Sequence, residues 1–125
     1  MVLGDGPQAR FIATHAGADS ISAGAGNDTL DAGVGDDTVK AGAGDDLIEG
    51  GLGNDSLLGE VGNDTLIAGA GNDTYSGGDG TDTLDYGQQT QSIVVNLSGQ
   101  TQQGVLSGMA RDGQGGVDTI QEDIE

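Results

Sequence analysis

From Thr14 to Asp85 a large apolar residue recurs at every ninth position: Ile21, Leu30, Val39, Ile48, Leu57, Leu66, Tyr75 and Leu84. Between these positions lie short runs of glycine, alanine, Asn and Asp. The pattern is neither the alternation of an ordinary strand nor the 3.6-residue stripe of a helix. Cut into ninths, the stretch reads THAGADSIS, AGAGNDTLD, AGVGDDTVK, AGAGDDLIE, GGLGNDSLL, GEVGNDTLI, AGAGNDTYS, GGDGTDTLD. The fourth place is always Gly and the sixth always Asp. A fixed short period of this kind marks a solenoid. Each unit predicts a polar turn followed by a three-residue strand carrying one inward apolar side chain. Such a unit buries too little to fold alone, so units must stack on one another.

With nine residues per half-turn, alternate units build two facing parallel sheets, and the eighth-place residues point between them. Stacked strands lie about 4.8 Å apart. Units two apart therefore bring their turns, and their sixth-place Asp residues, into close register. Glycine lets the turns take positive φ and lets neighbouring loops approach. Backbone carbonyls and carboxylates from two stacked loops then face one gap, and an all-oxygen cage of that kind suits calcium. The chain has no cysteine and a single histidine, His15, so metals that favour thiolate or imidazole have almost nothing to hold them. Eight apolar side chains fall short of the entropy lost in ordering this much backbone. The stacked carboxylates also repel. Folding is expected to be conditional on the cation.

The phrase resembles the GGxGxDxUx nonapeptide of RTX (repeats-in-toxin), hemolysin-type calcium-binding proteins. Seven full units and a weaker leading one carry the likeness. It implies an all-β fold, a right-handed parallel β-roll with short β-strand caps, binding several calcium ions. The site residues it implies are second-place Gly24, Gly33, Gly42, Gly51, Gly69 and Gly78, and fourth-place Gly26, Gly35, Gly44, Gly53, Gly62, Gly71 and Gly80. With them stand the sixth-place Asp19, Asp28, Asp37, Asp46, Asp55, Asp64, Asp73 and Asp82. By the family's geometry, units two apart share an ion. The pairs are Asp28 with Asp46, Asp37 with Asp55, Asp46 with Asp64, Asp55 with Asp73 and Asp64 with Asp82, and Asp19 with Asp37 forms a weaker sixth. The resemblance also implies a bacterial protein exported by type I secretion, disordered in low-calcium cytosol and folded outside the cell.

Some units depart from that pattern. Four begin with Ala instead of Gly, which costs little where φ is negative. Glu60 takes the second place of the sixth unit, where positive φ would be strained. Thr14 and His15 replace both leading glycines of the first unit. In the fifth place Asn27, Asn54, Asn63 and Asn72 are interspersed with Asp36 and Asp45, which add charge. Asp31, Glu49, Asp79 and Asp85 lie outside the columns and are expected as solvated surface charges. Tyr75 is expected in the core with its hydroxyl near an edge, and Leu58 and Ile67 are expected to face outward.

Around the repeats, residues 1–13 read as an N-terminal capping segment, 14–85 as the roll and 86–125 as a β-rich C-terminal cap. Phe11 and Ile12 form the first strand and cover the open end, since Ile12 precedes Ile21 by nine. The run Ile93–Leu97 pairs with Val105 and Leu106 as a hairpin, and Gly116, Asp118 and Ile120 regain the fourth, sixth and eighth places. The N-terminus lacks the charged start and apolar run of a cleavable signal peptide. The terminal DIE is expected to be a break within a larger parent chain, the rest of which would be a partner.

Composition narrows the partners. The formal net charge is −18, from 21 acidic and 3 basic residues. That excludes nucleic acid and anionic membrane surfaces as default partners. No stretch is long enough for this segment to insert across a membrane. An acidic flexible tail would not keep an apolar residue at every ninth place. GAG and GVG triplets complete no phosphate loop, no EF-hand loop fits, and NDT and NDS sequons arise from the repeat itself. Adjacent carboxylates such as Asp36 and Asp37 sit in repeat phase, and His15 stands alone, so no active site is expected. The reading is a non-enzymatic calcium-binding module, extracellular or on the bacterial surface. The alternatives are a spacer or adhesive segment of a surface adhesin, or the accessory roll of a secreted protease, lipase or alginate epimerase.

Overall fold

A computed structural model describes residues 7–86 and the backbone of three later strands. In chain order the strands are β1 (Phe11–Ala13), β2 (Ser20–Ala25), β3 (Thr29–Asp31), β4 (Thr38–Ala43), β5 (Leu47–Glu49) and β6 (Ser56–Val61). They continue with β7 (Thr65–Ile67), β8 (Thr74–Asp79), β9 (Thr83–Asp85), β10 (Val94–Asn96), β11 (Met109–Arg111) and β12 (Val117–Ile120). No helix occurs among the described residues. The odd-numbered strands β1-β3-β5-β7-β9 form one sheet, and the other runs β10-β11-β12-β8-β6-β4-β2. The chain alternates between the two sheets, and each strand from β1 to β7 pairs in parallel with its equivalent 18 residues on, as Leu30 does with Ile48 and Leu66 with Leu84. The fold is a parallel β-roll of two units per coil.

The units are not all alike. In the sheet that begins with β1, every strand has three residues. In the other, β2, β4, β6 and β8 run for six residues, because pairing continues through Gly24, Gly42, Glu60 and Gly78 to the third place. In the first sheet, pairing resumes only as isolated bridges joining Ala16, Val34, Leu52 and Ala70.

Between the sheets lie Ile12, Ile21, Leu30, Val39, Ile48, Leu57, Leu66 and Tyr75, all buried, with Leu84 half-buried at the end of the row. The first-place alanines Ala23, Ala32, Ala41 and Ala68 are buried beside them, an inner-facing column the apolar spacing did not suggest. First-place Gly50, Gly59 and Gly77 lie outside the positive-φ set, so the Ala-for-Gly exchange carries no backbone strain there. Leu58 and Ile67, expected to face outward, are half-buried. Their flanks explain it, since each lies between two paired strands: Leu58 between Lys40 and Ser76, and Ile67 between Glu49 and Asp85. Asp79 and Asp85 are exposed, and Asp31 and Glu49 are half-buried.

At the amino end β1 lies against β3, with Ile12 opposite Leu30 and buried, while Phe11 is left 73% exposed. Arg10 falls in the sixth place of this leading unit, so the repeat frame begins one unit earlier than its motif. At the other end β12 is parallel to β8, with Thr119 opposite Thr74 and Ile120 opposite Tyr75, which keeps the frame of the repeats. β10 pairs antiparallel with β11 at Met109–Arg111. Val105 and Leu106, the expected hairpin partners, lie outside the described residues.

Glu60 has φ 82°, the one non-glycine residue with positive φ among the described residues. An L side chain in this region costs about 1–2 kcal/mol. Glu60→Gly is expected to raise stability, by less than that figure because glycine also gains freedom in the unfolded chain. A higher thermal midpoint at fixed calcium would show it.

Candidate metal centre

Each turn places its sixth-place Asp at the point where the chain re-enters a strand, and the two kinds of turn make two columns. Asp19, Asp37, Asp55 and Asp73 precede strands of the larger sheet, and Asp28, Asp46, Asp64 and Asp82 precede strands of the smaller one. All but Asp19 are buried, and Asp19 at the thin end is half-buried.

Within a column the carboxylates hold the coils together. The backbone N–H of Asp28 donates to Oδ1 of Asp46 at 2.6 Å, and that of Asp46 to Oδ1 of Asp64 at 2.8 Å. The same bond joins Asp64 to Asp82, Asp19 to Asp37, Asp37 to Asp55 and Asp55 to Asp73. All six pairs expected from the sequence are thus brought together, each through an N–H to carboxylate bond. The frame extends one unit further back, where Arg10 N–H donates to Oδ1 of Asp28 at 2.7 Å.

The fifth place carries a second ladder that points the other way along the roll. There the N–H of the later coil donates to the side chain of the earlier one, as Asp45 does to Asn27, Asn63 to Asp45 and Thr81 to Asn63. On the opposite turns, Asn54 donates to Asp36 and Asn72 to Asn54. Asn and Asp in this column are therefore acceptors that tie exposed turns together, a role the sequence reading missed in counting only their charge.

The sixth-place ladder uses one oxygen of each carboxylate. The other, Oδ2, is buried without a hydrogen-bond partner in Asp28, Asp37, Asp46, Asp55, Asp64 and Asp82. A buried, unpartnered carboxylate oxygen is costly, and each one calls for a specific explanation such as an ion. Oδ2 is turned into its own loop. A Cβ at first-place Gly50, Gly59 or Gly77 would collide with Oδ2 of Asp55, Asp64 or Asp82 respectively. The loop backbones approach one another just as closely, since a Cβ on Gly44, Gly53, Gly62, Gly71 or Gly80 would overlap the fourth-place carbonyl of the coil before it. The second-place carbonyls of Gly33 and Gly51 accept N–H bonds from Leu52 and Ala70, at 2.9 and 3.0 Å. In the first unit the Thr14 hydroxyl donates to the Ala32 carbonyl, so a polar side chain stands where later units have alanine or glycine.

Removal from water, set against the N–H bond from Asp37, pushes the Asp55 carboxyl up to about 6, with Asp73, Asp37 and Asp36 adding repulsion. Asp64 is likewise pushed up to about 6, mainly by burial and then by Asp46, Asp82 and Asp45, against the N–H bond from Asp46. Burial also raises Asp46. A raised carboxyl favours the neutral form in the folded state. Without metal its contribution to stability is fully present below the ordinary value near 4 and is lost as pH rises through about 6. The chelated chain is therefore expected to be more structured at pH 4 than at pH 7. Protons and calcium compete for the same oxygens, so the calcium midpoint should rise as pH falls from 7 to 5. Circular dichroism at the two pH values checks both.

No three His, Cys, Asp or Glu side chains converge into one metal cluster among the described residues. The donors at hand are unpartnered carboxylate oxygens beside backbone carbonyls, oxygen ligands of the kind a hard cation takes. The donor set therefore fits calcium.

Fold and donors together define a metal-binding β-solenoid, with its carboxylates buried in two columns along its turns. The family model described as RTX calcium-binding nonapeptide repeat (4 copies) matches residues 11–39, 28–57 and 49–84. The chain belongs to that family and is a calcium-binding repeat module with the β-roll fold. Comparison with curated proteins gives no match.

Proposed function

We propose that the free Oδ2 atoms of Asp28, Asp37, Asp46, Asp55, Asp64 and Asp82 are calcium ligands, completed by second- and fourth-place carbonyls of the stacked loops, and that calcium binding is what folds the roll. Asp19 serves the thinner end. The observation that carries this reading is the row of six buried, unpartnered carboxylate oxygens at one repeat position. Each lies in a chain of formal net charge −18, with few cations to neutralise it internally.

In the same reading the module belongs to a bacterial protein exported by type I secretion or displayed on the cell surface. It stays unfolded where calcium is scarce and folds outside, where modules of this kind bind at roughly 10⁻⁴–10⁻³ M. Residues 1–13 and 86–125 act as caps, so that the roll's edges do not recruit other chains. The segment itself is not catalytic. A larger parent chain supplies any activity, as an adhesin, protease, lipase or epimerase would. The spacer or adhesive alternative draws on Val34 and Leu52, bridged to each other and 49% and 55% exposed.

Limited proteolysis of the full chain tests the switch. Residues 7–86 should resist cleavage at roughly 10⁻³ M calcium and be degraded at roughly 10⁻⁷ M. Equal resistance at both concentrations would remove the calcium-triggered reading.

A further inference from the structure

Among the buried sixth-place carboxylates, Asp73 differs from the rest. Its Oδ2 accepts a hydrogen bond from the Tyr75 hydroxyl at 2.9 Å, where the other six have no protein partner. Tyr75 is fully buried, and its oxygen in turn accepts the backbone N–H of Gly69 at 3.2 Å. The phenol therefore spans the loop from its second place to its sixth, along the line where Oδ2 is turned inward. The expectation that this hydroxyl would sit near an edge is corrected: it is inside the turn.

The loop backbone has changed to suit. From Gly24 to Gly78 every second-place residue has positive φ, Glu60 included, except Gly69. The residue that gives its N–H to the phenol is the one that has left the left-handed region. At Asp55, one coil earlier in the same column, the eighth-place residue is Leu57, which pairs with Tyr75 across the sheet and offers no polar atom.

We propose that Tyr75 closes the seventh unit to calcium: its hydroxyl takes the place of the ion at Oδ2 of Asp73, so this turn is tied by protein alone. The proposal rests on the calcium reading above and refines it. Sixth-place Asp alone does not define a site, because the eighth-place side chain decides whether the carboxylate is free to bind. A phenol can fill the position because it reaches past the core and donates one hydrogen bond to a carboxylate. An aliphatic residue can do neither.

Equilibrium dialysis of the full chain against calcium, with circular dichroism to confirm folding, supplies the test. Tyr75→Phe removes only the hydroxyl and is expected to raise the number of bound ions by one. Adding Asp73→Asn to that variant should return the number to that of the unmodified chain. Leu57→Tyr places a hydroxyl beside Asp55 and should remove one ion. An unchanged ion count in folded Tyr75→Phe would overturn the proposal while leaving the calcium reading intact. An unmodified chain that binds no calcium would overturn the calcium reading and this refinement with it.

Discussion

Gly62→Ala is expected to abolish calcium-dependent β-structure, whereas Gly17→Ala is expected only to weaken it. The two glycines hold the same place in their units and both have positive φ, 142° and 116°. They differ in what lies beyond the α-carbon. A Cβ at Gly62 would fall within the carbonyl of Gly44 in the preceding coil, and backbone on both sides leaves nothing that can move aside. A Cβ at Gly17 meets nothing within 4 Å. Gly17→Ala therefore pays only backbone strain, about 1–2 kcal/mol. Gly62→Ala must also push two coils apart, which breaks the bond from the N–H of Gly44 to the Val61 carbonyl that joins them. Calcium titrations of the two variants, followed by circular dichroism, separate the outcomes. Equal behaviour would mean that coil-to-coil contact does not limit the fold.

Asp46→Ala should damage two neighbouring sites at once, and Asp46→Asn shows why. Asp46 does two jobs: Oδ1 accepts the N–H of Asp28 at 2.6 Å, and Oδ2 is left over, buried. Alanine removes both oxygens and strands the Asp28 N–H. A hydrogen bond to a charged group is worth about 1.5–3 kcal/mol, and a buried donor left unpaired adds desolvation cost. Asparagine keeps an acceptor for Asp28 but removes the charge. In calcium, both variants should need at least roughly tenfold more ion to reach half-folding, which is about 1.4 kcal/mol. In chelator they should part company. Asp46→Asn, relieved of a buried charge among Asp28 and Asp45, should be no less structured than the unmodified chain, and Asp46→Ala should be worse. Asp46→Asn with an unaltered calcium midpoint would remove Asp46 from the ligands.

Much of this fold was legible because the repeat is short and its columns are pure. An apolar residue every ninth place, with Gly and Asp at fixed offsets, leaves stacking in register as the one arrangement that buries the apolar row. The 18-residue pairing of Asp28 with Asp46 followed from that. Other features depend on where neighbouring coils touch, which spacing does not reveal. The buried first-place alanines look like ordinary small turn residues until the opposing row is in place. The six-residue strands of the larger sheet continue through Gly24 and Gly42, residues that by themselves signal a break. Fifth-place Asn and Asp were visible as a recurring column, and a column of short side-chain acceptors is itself a sign of a ladder. Arg10 hid the leading unit, because Arg replaces its sixth-place Asp and Gln8 its fourth-place Gly. The Tyr75 hydroxyl could have been suspected as the one polar atom in the apolar column. Its partner could not, because spacing does not show that an eighth-place side chain turns back to the carboxylate two residues before it.

The central claim is that folding waits on calcium because buried carboxylate oxygens lack any protein partner. Far-ultraviolet circular dichroism of the full chain, dialysed against chelator at pH 7 and titrated with calcium and separately with magnesium, tests it most directly. A transition from coil to β-structure is predicted with calcium and not with magnesium, which demands a near-ideal octahedron and gives up its waters reluctantly. Full β-structure already present in chelator, or the same transition with magnesium, would contradict it.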